Sequence, residues 1–205
     1  PSGGGTPPPP ASQEQAAVVA SVLARVHVAC EAVAGSGKTT AVLHCATAAP
    51  GLKFLCLTYN ARLKLQTRQR ARELGLSNLE VHSFHAMGAR YYDRGCRNDD
   101  VLRSVVDGDQ PAHSPIVFDC LVIDEAQDLT PLLHRFVLKV LRDRRTEAAW
   151  RGGRTLAEMK PPPSLLVLGD SRQSIYQFKD ADPRFLTMAD WGLYNLAAEA
   201  QGERE

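Results

Sequence analysis

The segment that most constrains what this chain can fold into is Ala34-Gly35-Ser36-Gly37-Lys38-Thr39. It lies between a valine-rich apolar run over 26–33 and a helical pattern over 39–48. Glycines in such a turn let backbone amides point inward and approach phosphate oxygens closely, and the helix that follows adds partial positive charge at its amino end. Lys38 can then reach β- and γ-phosphates, while the Thr39 hydroxyl can ligate Mg²⁺. Thr40 closes the candidate nucleotide-binding set. The strict form of the pattern opens with glycine, and here that position is Ala32.

The rest of the chain alternates in the way such a loop requires. Ser12 is a candidate N-cap for an alanine- and valine-rich helix over 13–24. Short apolar runs predict strands over 26–33, 53–57, 79–82, 116–123 and 165–168. Helical patterns lie between them over 39–48, 61–74, 83–92 and 131–142; the last places Leu132, Leu133, Phe136, Val137 and Val140 on one face. Strands alternating with helices predict an α/β fold, a parallel sheet with helices on both faces. The stretch 94–114 is polar and weakly patterned, and 146–163 reads as a loop-like insertion ending in prolines. Residues 1–10 (PSGGGTPPPP) read as a disordered tail, 11–182 as the domain, and 183–205 as a segment leading onward.

The strand over 116–123 runs into Asp124-Glu125-Ala126-Gln127-Asp128. Two carboxylates at a strand end can divide the work, one beside Mg²⁺ and the other beside an attacking water. Asp124 is the expected metal-side group and Glu125 the water-orienting base.

These residues carry a resemblance. Ala32 to Thr40 resembles motif I, and Asp124 to Asp128 motif II, of the UvrD/Rep-type superfamily 1 DNA helicases. SQEQAAVV (12–19) is similar to their Q motif, LTYNARL (57–63) to motif Ia, VHSFHAMG (81–88) to the next DNA-side motif, and LGDSRQSIYQFKDAD (168–182) to motif III. Six motifs thus stand in the family's order. The resemblance implies the N-terminal, RecA-like ATP-binding motor domain of a DNA helicase, using ATP and Mg²⁺ and moving 3′ to 5′ on single-stranded or partly duplex DNA. Gln15 would hydrogen-bond the adenine edge, and Gln173 would sense the γ-phosphate. Tyr59, Asn60, Phe84, His85, Tyr176 and Phe178 would line the DNA groove. Only residues 93–119 separate the DNA-side motif from motif II, so an accessory insertion common in the family is expected to be absent or reduced. Nothing after Ala181 resembles motifs IV to VI, so a second motor domain is expected as a partner elsewhere in the parent chain.

Composition limits the alternatives. Among 205 residues the formal net charge is +1, so DNA contact would depend on a local groove and not on overall attraction. Five cysteines without paired metal-ligand spacing predict free, buried thiols in a reducing compartment. No apolar run approaches bilayer-spanning length, so a soluble intracellular protein is expected, nuclear in a eukaryote and cytoplasmic in a bacterium. The basic helix bearing Arg62, Lys64, Arg68, Arg70 and Arg72 fits a solvated face as well as a DNA-facing one. A non-catalytic nucleotide-binding module of the same fold is the competing reading.

Overall fold

The computed structural model describes residues 9–31, 37–144 and 163–170. In chain order the elements are α1 (Gln13–Leu23), β1 (Val28–Glu31), α2 (Lys38–Ala48), β2 (Phe54–Thr58), α3 (Ala61–Glu73), β3 (Leu79–Ser83), α4 (Phe84–Tyr91), α5 (Asp99–Asp107), β4 (Cys120–Asp124), α6 (Pro131–Asp143) and β5 (Ser164–Gly169). A short 3₁₀ turn, Ala126–Asp128, follows β4. The strands form one parallel sheet in the order β1-β5-β4-β2-β3.

Why the strands read as unbroken apolar runs is clear from their two faces. Leu55 and Leu57 of β2, Leu121 and Ile123 of β4, and Leu165 and Val167 of β5 join one core with α4, α5 and α6. Phe54 and Cys56, Cys120 and Val122, and Leu166 and Leu168 point the other way, into a core with α1 and α2. A sheet covered on both sides needs apolar side chains at every position, not at alternate ones. The chain moves from β1 through β2 to β3, then returns through β4 to β5. Right-handed crossovers put helices of the outward run on one face and those of the return on the other.

Local signals account for the helix starts. Ser12 caps α1 through a reciprocal pair: its hydroxyl accepts from the Gln15 amide at 3.2 Å, and Gln15 Oε1 accepts from Ser12 N–H at 3.0 Å. Ser83 and Thr130 cap α4 and α6. The predicted apolar face of α6 is buried as expected, with Phe136 and Val137 fully enclosed.

Two expectations need correction. The stretch over 94–114 contains α5, capped by Asn98, with Asp99 and Asp100 in its first turn and Leu102 and Val105 buried. Only four apolar residues in nine mark this helix, and the aspartates that suit its amino-terminal dipole hide it among polar residues. The fourth strand begins at Cys120, not at residue 116. Ile116 makes an isolated bridge to Arg144, and the Asp119 and Cys120 amides both donate to Lys53 O, at 2.7 and 3.1 Å. The buried Asp119 carboxylate accepts from Lys53 N–H at 2.9 Å, which fixes the chain just before the ladder starts.

Asn78 ties the end of α2 to the sheet. Its Nδ2 lies 3.0, 3.1 and 3.0 Å from the carbonyls of Ala46, Ala49 and Leu52, and its own carbonyl accepts from Phe54 N–H at 2.8 Å. Asn78→Ala should lower unfolding free energy by about 2 kcal/mol, the scale for stranding part-buried acceptors. Urea denaturation of both forms checks this.

Candidate nucleotide site

All strands are parallel, so the loops after β1, β4 and β5 leave from the same edge of the sheet. Only β5 separates β1 from β4. At ordinary strand spacing their carboxyl ends stand roughly 10 Å apart, within reach of a lysine from one side and a glutamate from the other. Lys38 opens α2 and is buried, and its Nζ lies 3.8 Å from Glu125 Oε2.

Gly37 caps α2 in a left-handed conformation, φ +85°, with no side-chain cap. A Cβ here would meet Gln15 Nε2 at 2.5 Å, and Gln15 Nε2 donates to the Gly37 carbonyl at 3.1 Å. Glycine therefore serves two needs at once: the backbone angle and the close approach of Gln15. Among the described residues no side chain caps this helix end, and first-turn amides of that kind suit an anion. Thr39 and Thr40 occupy that turn and are partly exposed. Ala34, Gly35 and Ser36 lie outside the described residues. Gln15 uses one hydrogen-bonding position of each amide atom on the cap and on Gly37, which leaves one donor and one acceptor position for an adenine edge.

Across the gap, Asp124 ends β4 and is buried, while Glu125 follows in a left-handed conformation, φ 57°. A non-glycine residue there is strained and persists only where its surroundings hold it. The Glu125 amide donates to Asp124 Oδ1 at 3.0 Å, and Gln127 Nε2 donates to Glu125 Oε2 at 2.6 Å. Gln127 Oε1 in turn accepts from the Asp170 amide, just past β5, at 3.0 Å. Gln127 is thus a site residue to which the sequence reading gave no role. It stood inside the quoted acidic motif, but its two partners become visible only in the folded sheet.

Burial, and then the neighbouring Glu125 charge, push the Asp124 carboxyl up to about 7, against the Glu125 amide and Lys38, which pull it down. An ionised buried carboxylate calls for a cation, and a hard divalent ion held by few protein oxygens suits it. Among the described residues no cluster of three His, Cys, Asp or Glu side chains forms a cation cage. Asp124 and the Thr39 hydroxyl are the residues that would hold Mg²⁺ here, an ion that would neutralise phosphate charge.

The predicted DNA-side residues sit at the carboxyl ends of β2 and β3, in register through Thr58 and Ser83, on the same edge as the nucleotide site. Asn60 is exposed and caps α3, accepting from the Arg62 and Leu63 amides. Tyr59 is half-buried against the core. His85 Nε2 lies 2.8 Å from Asp99 Oδ1. Phe84 is 2 % exposed and belongs to the core under α4. Of the basic helix, Arg68 turns inward to the Val81 carbonyl at 2.6 Å and His82 Nδ1 at 3.1 Å, and Arg70 pairs with Glu73. Gln173, Tyr176 and Phe178 lie outside the described residues.

A parallel sheet with a glycine-capped, lysine-bearing helix facing a strand-end acid pair defines the class: a P-loop nucleoside triphosphatase fold. A family model described as an AAA domain matches residues 13–179. Three curated relatives match, each an "ATP-dependent DNA helicase UvrD2", from Mycobacterium bovis and two strains of Mycobacterium tuberculosis. Each is 39% identical over 69 residues, 34% of this chain and 7% of the relative. The chain therefore spans a small part of these relatives' length. It belongs to the AAA-domain family, and its likeness to the helicase relatives supports a UvrD/Rep-type, helicase-like ATP-binding motor. Among the described residues no helix is long and apolar enough to cross a membrane.

The sign of the Asp124 shift gives a pH prediction. Its folded value lies above that of an unfolded aspartate, so its contribution to stability is present below about pH 4 and is lost as pH rises through 7. Without nucleotide or Mg²⁺, Asp124→Asn should flatten this decline and be the more stable form at pH 8, by at most on the order of 4 kcal/mol. Denaturant titrations from pH 4 to 8 check it.

Proposed function

We propose that this chain is the ATP-hydrolysing motor domain of a DNA helicase, acting on single-stranded or partly duplex DNA, with 3′ to 5′ movement. The observation that carries the reading is the convergence of Lys38 and Glu125 across β5, at 3.8 Å. The lysine faces the acid; a triphosphate entering the loop would take the lysine for its β- and γ-oxygens. Glu125 is then released to orient a water toward the γ-phosphate. Asp124 and Thr39 would hold Mg²⁺, which supplies charge neutralisation to the phosphates when bound. Gln15 would meet the adenine edge and Gln173 the γ-phosphate.

Tyr59, Asn60 and His85 share the nucleotide edge, which supports a DNA groove beside the ATP site. Tyr176 and Phe178 would add sequence-tolerant stacking faces. A second motor domain would supply the arginine charge that such phosphoryl transfer needs, an effect on the order of 10³ to 10⁵ in rate. These 205 residues alone should bind ATP, hydrolyse it slowly and unwind nothing in a strand-displacement assay.

Lys38→Ala should weaken Mg-ATP binding by roughly 1.5 to 3 kcal/mol in calorimetric titration, the scale of a charge-assisted hydrogen bond. Glu125→Gln should keep that affinity and abolish residual hydrolysis. A Glu125→Gln form that turns over like the parent would favour the non-catalytic module. Single-stranded DNA should bind with clear salt dependence, and Tyr176→Ala or Phe178→Ala should each cost about 1 to 3 kcal/mol by fluorescence anisotropy.

A further inference from the structure

We propose that Gln127 is a positioning residue that ties the Glu125 carboxylate to the end of β5, so that the water-orienting oxygen is placed by the sheet and not by Lys38. The inference rests on the proposed reading of Glu125 as the water-orienting base. Its physical basis is the Gln127 amide, which is 2 % exposed and bridges two groups that want opposite things. Glu125 Oε2 needs a donor and receives Nε2 at 2.6 Å; the Asp170 amide needs an acceptor and finds Oε1 at 3.0 Å. A neutral carboxamide is both at once. A carboxylate of the same length lacks the donor, and an apolar side chain of the same length lacks both.

The contact set explains why such a tether is required. Glu125 sits on a left-handed residue, and Lys38 also addresses Oε2, from 3.8 Å. A phosphate competes for Lys38 but has no claim on the Gln127 amide donor. Once nucleotide occupies the loop, the hydrogen bond from Gln127 keeps Oε2 in place. Among the described residues both contacts fall on Oε2, which leaves Oε1 for a water. The other end of the tether is anchored equally well. Gly169 pairs with Glu31 of β1 and Val167 with Ile123 of β4, so the Asp170 amide is held by the strand that lies between the phosphate loop and the acid pair.

Three variants of the full chain test this: Gln127→Met, Gln127→Glu and Glu125→Gln, each also combined where needed. In the nucleotide-free protein, exchange of the Asp170 amide should speed up about tenfold or more in Gln127→Met and stay near the parent rate in Gln127→Glu, whose oxygen still accepts. Calorimetry with Mg-ADP and with Mg-ADP-aluminium fluoride should then separate positioning from packing. Gln127→Met and Gln127→Glu should weaken the fluoride complex about tenfold or more and leave Mg-ADP affinity within about twofold. Adding Gln127→Met to Glu125→Gln should cost nothing further, because the water-orienting carboxylate that the tether places is already lost. An Asp170 amide exchanging at the parent rate in Gln127→Met, or equal loss of both nucleotide complexes, overturns the inference. If Glu125→Gln itself leaves the fluoride complex untouched, the reading of Glu125 falls and the inference with it; if only the Gln127 variants do so, the inference falls alone.

Discussion

β5 is hydrogen-bonded on one side to β1 and on the other to β4, and the site depends on that double pairing. It sets the gap between the phosphate loop and the acid pair at two strand spacings. β5 enters the sheet between β1 and β4, so β1 and the acidic half of the sheet meet only when it docks. Its six residues are buried throughout, which makes this docking a matter of apolar packing on both faces.

Around that frame the charges are arranged in tension. Asp124 is enclosed and beside another carboxylate, and its carboxyl rises to about 7. Lys38 is also buried and leans toward Glu125. The opposite end of the sheet is settled. There the Asp119 carbonyl accepts from Arg25 Nη1 and Ser164 N–H, and Arg144 Nε donates to Phe118 O, so the strand starts are fixed while the strand ends are left for chemistry.

Much of the fold was legible because its signals are local. The capping box at Ser12 and Gln15, the caps at Ser83 and Thr130, and the apolar stripe of α6 each act within one helical turn or face. α5 was illegible because Leu102 and Val105 are buried only by joining the core with α4, α6 and the sheet, contacts that no local pattern encodes. The burial of Phe84 was not legible, because a motif position says which end of a strand a ring occupies and not which way it points. The same limit applies to Gln127, whose partners are two and forty-three residues away in sequence.

By itself, the sequence determined the alternation of buried strands and capped helices, the glycine-lysine-threonine turn, and the carboxylate pair at a strand end. All of these follow from short-range sterics, hydrogen bonding and burial period. Only the tertiary structure decided that β5 enters between β1 and β4, that Gln15 closes over Gly37, and that Gln127 joins Glu125 to the end of β5. Those are contacts between residues far apart in the chain. Their geometry is fixed by strand order and close packing, which no local pattern encodes.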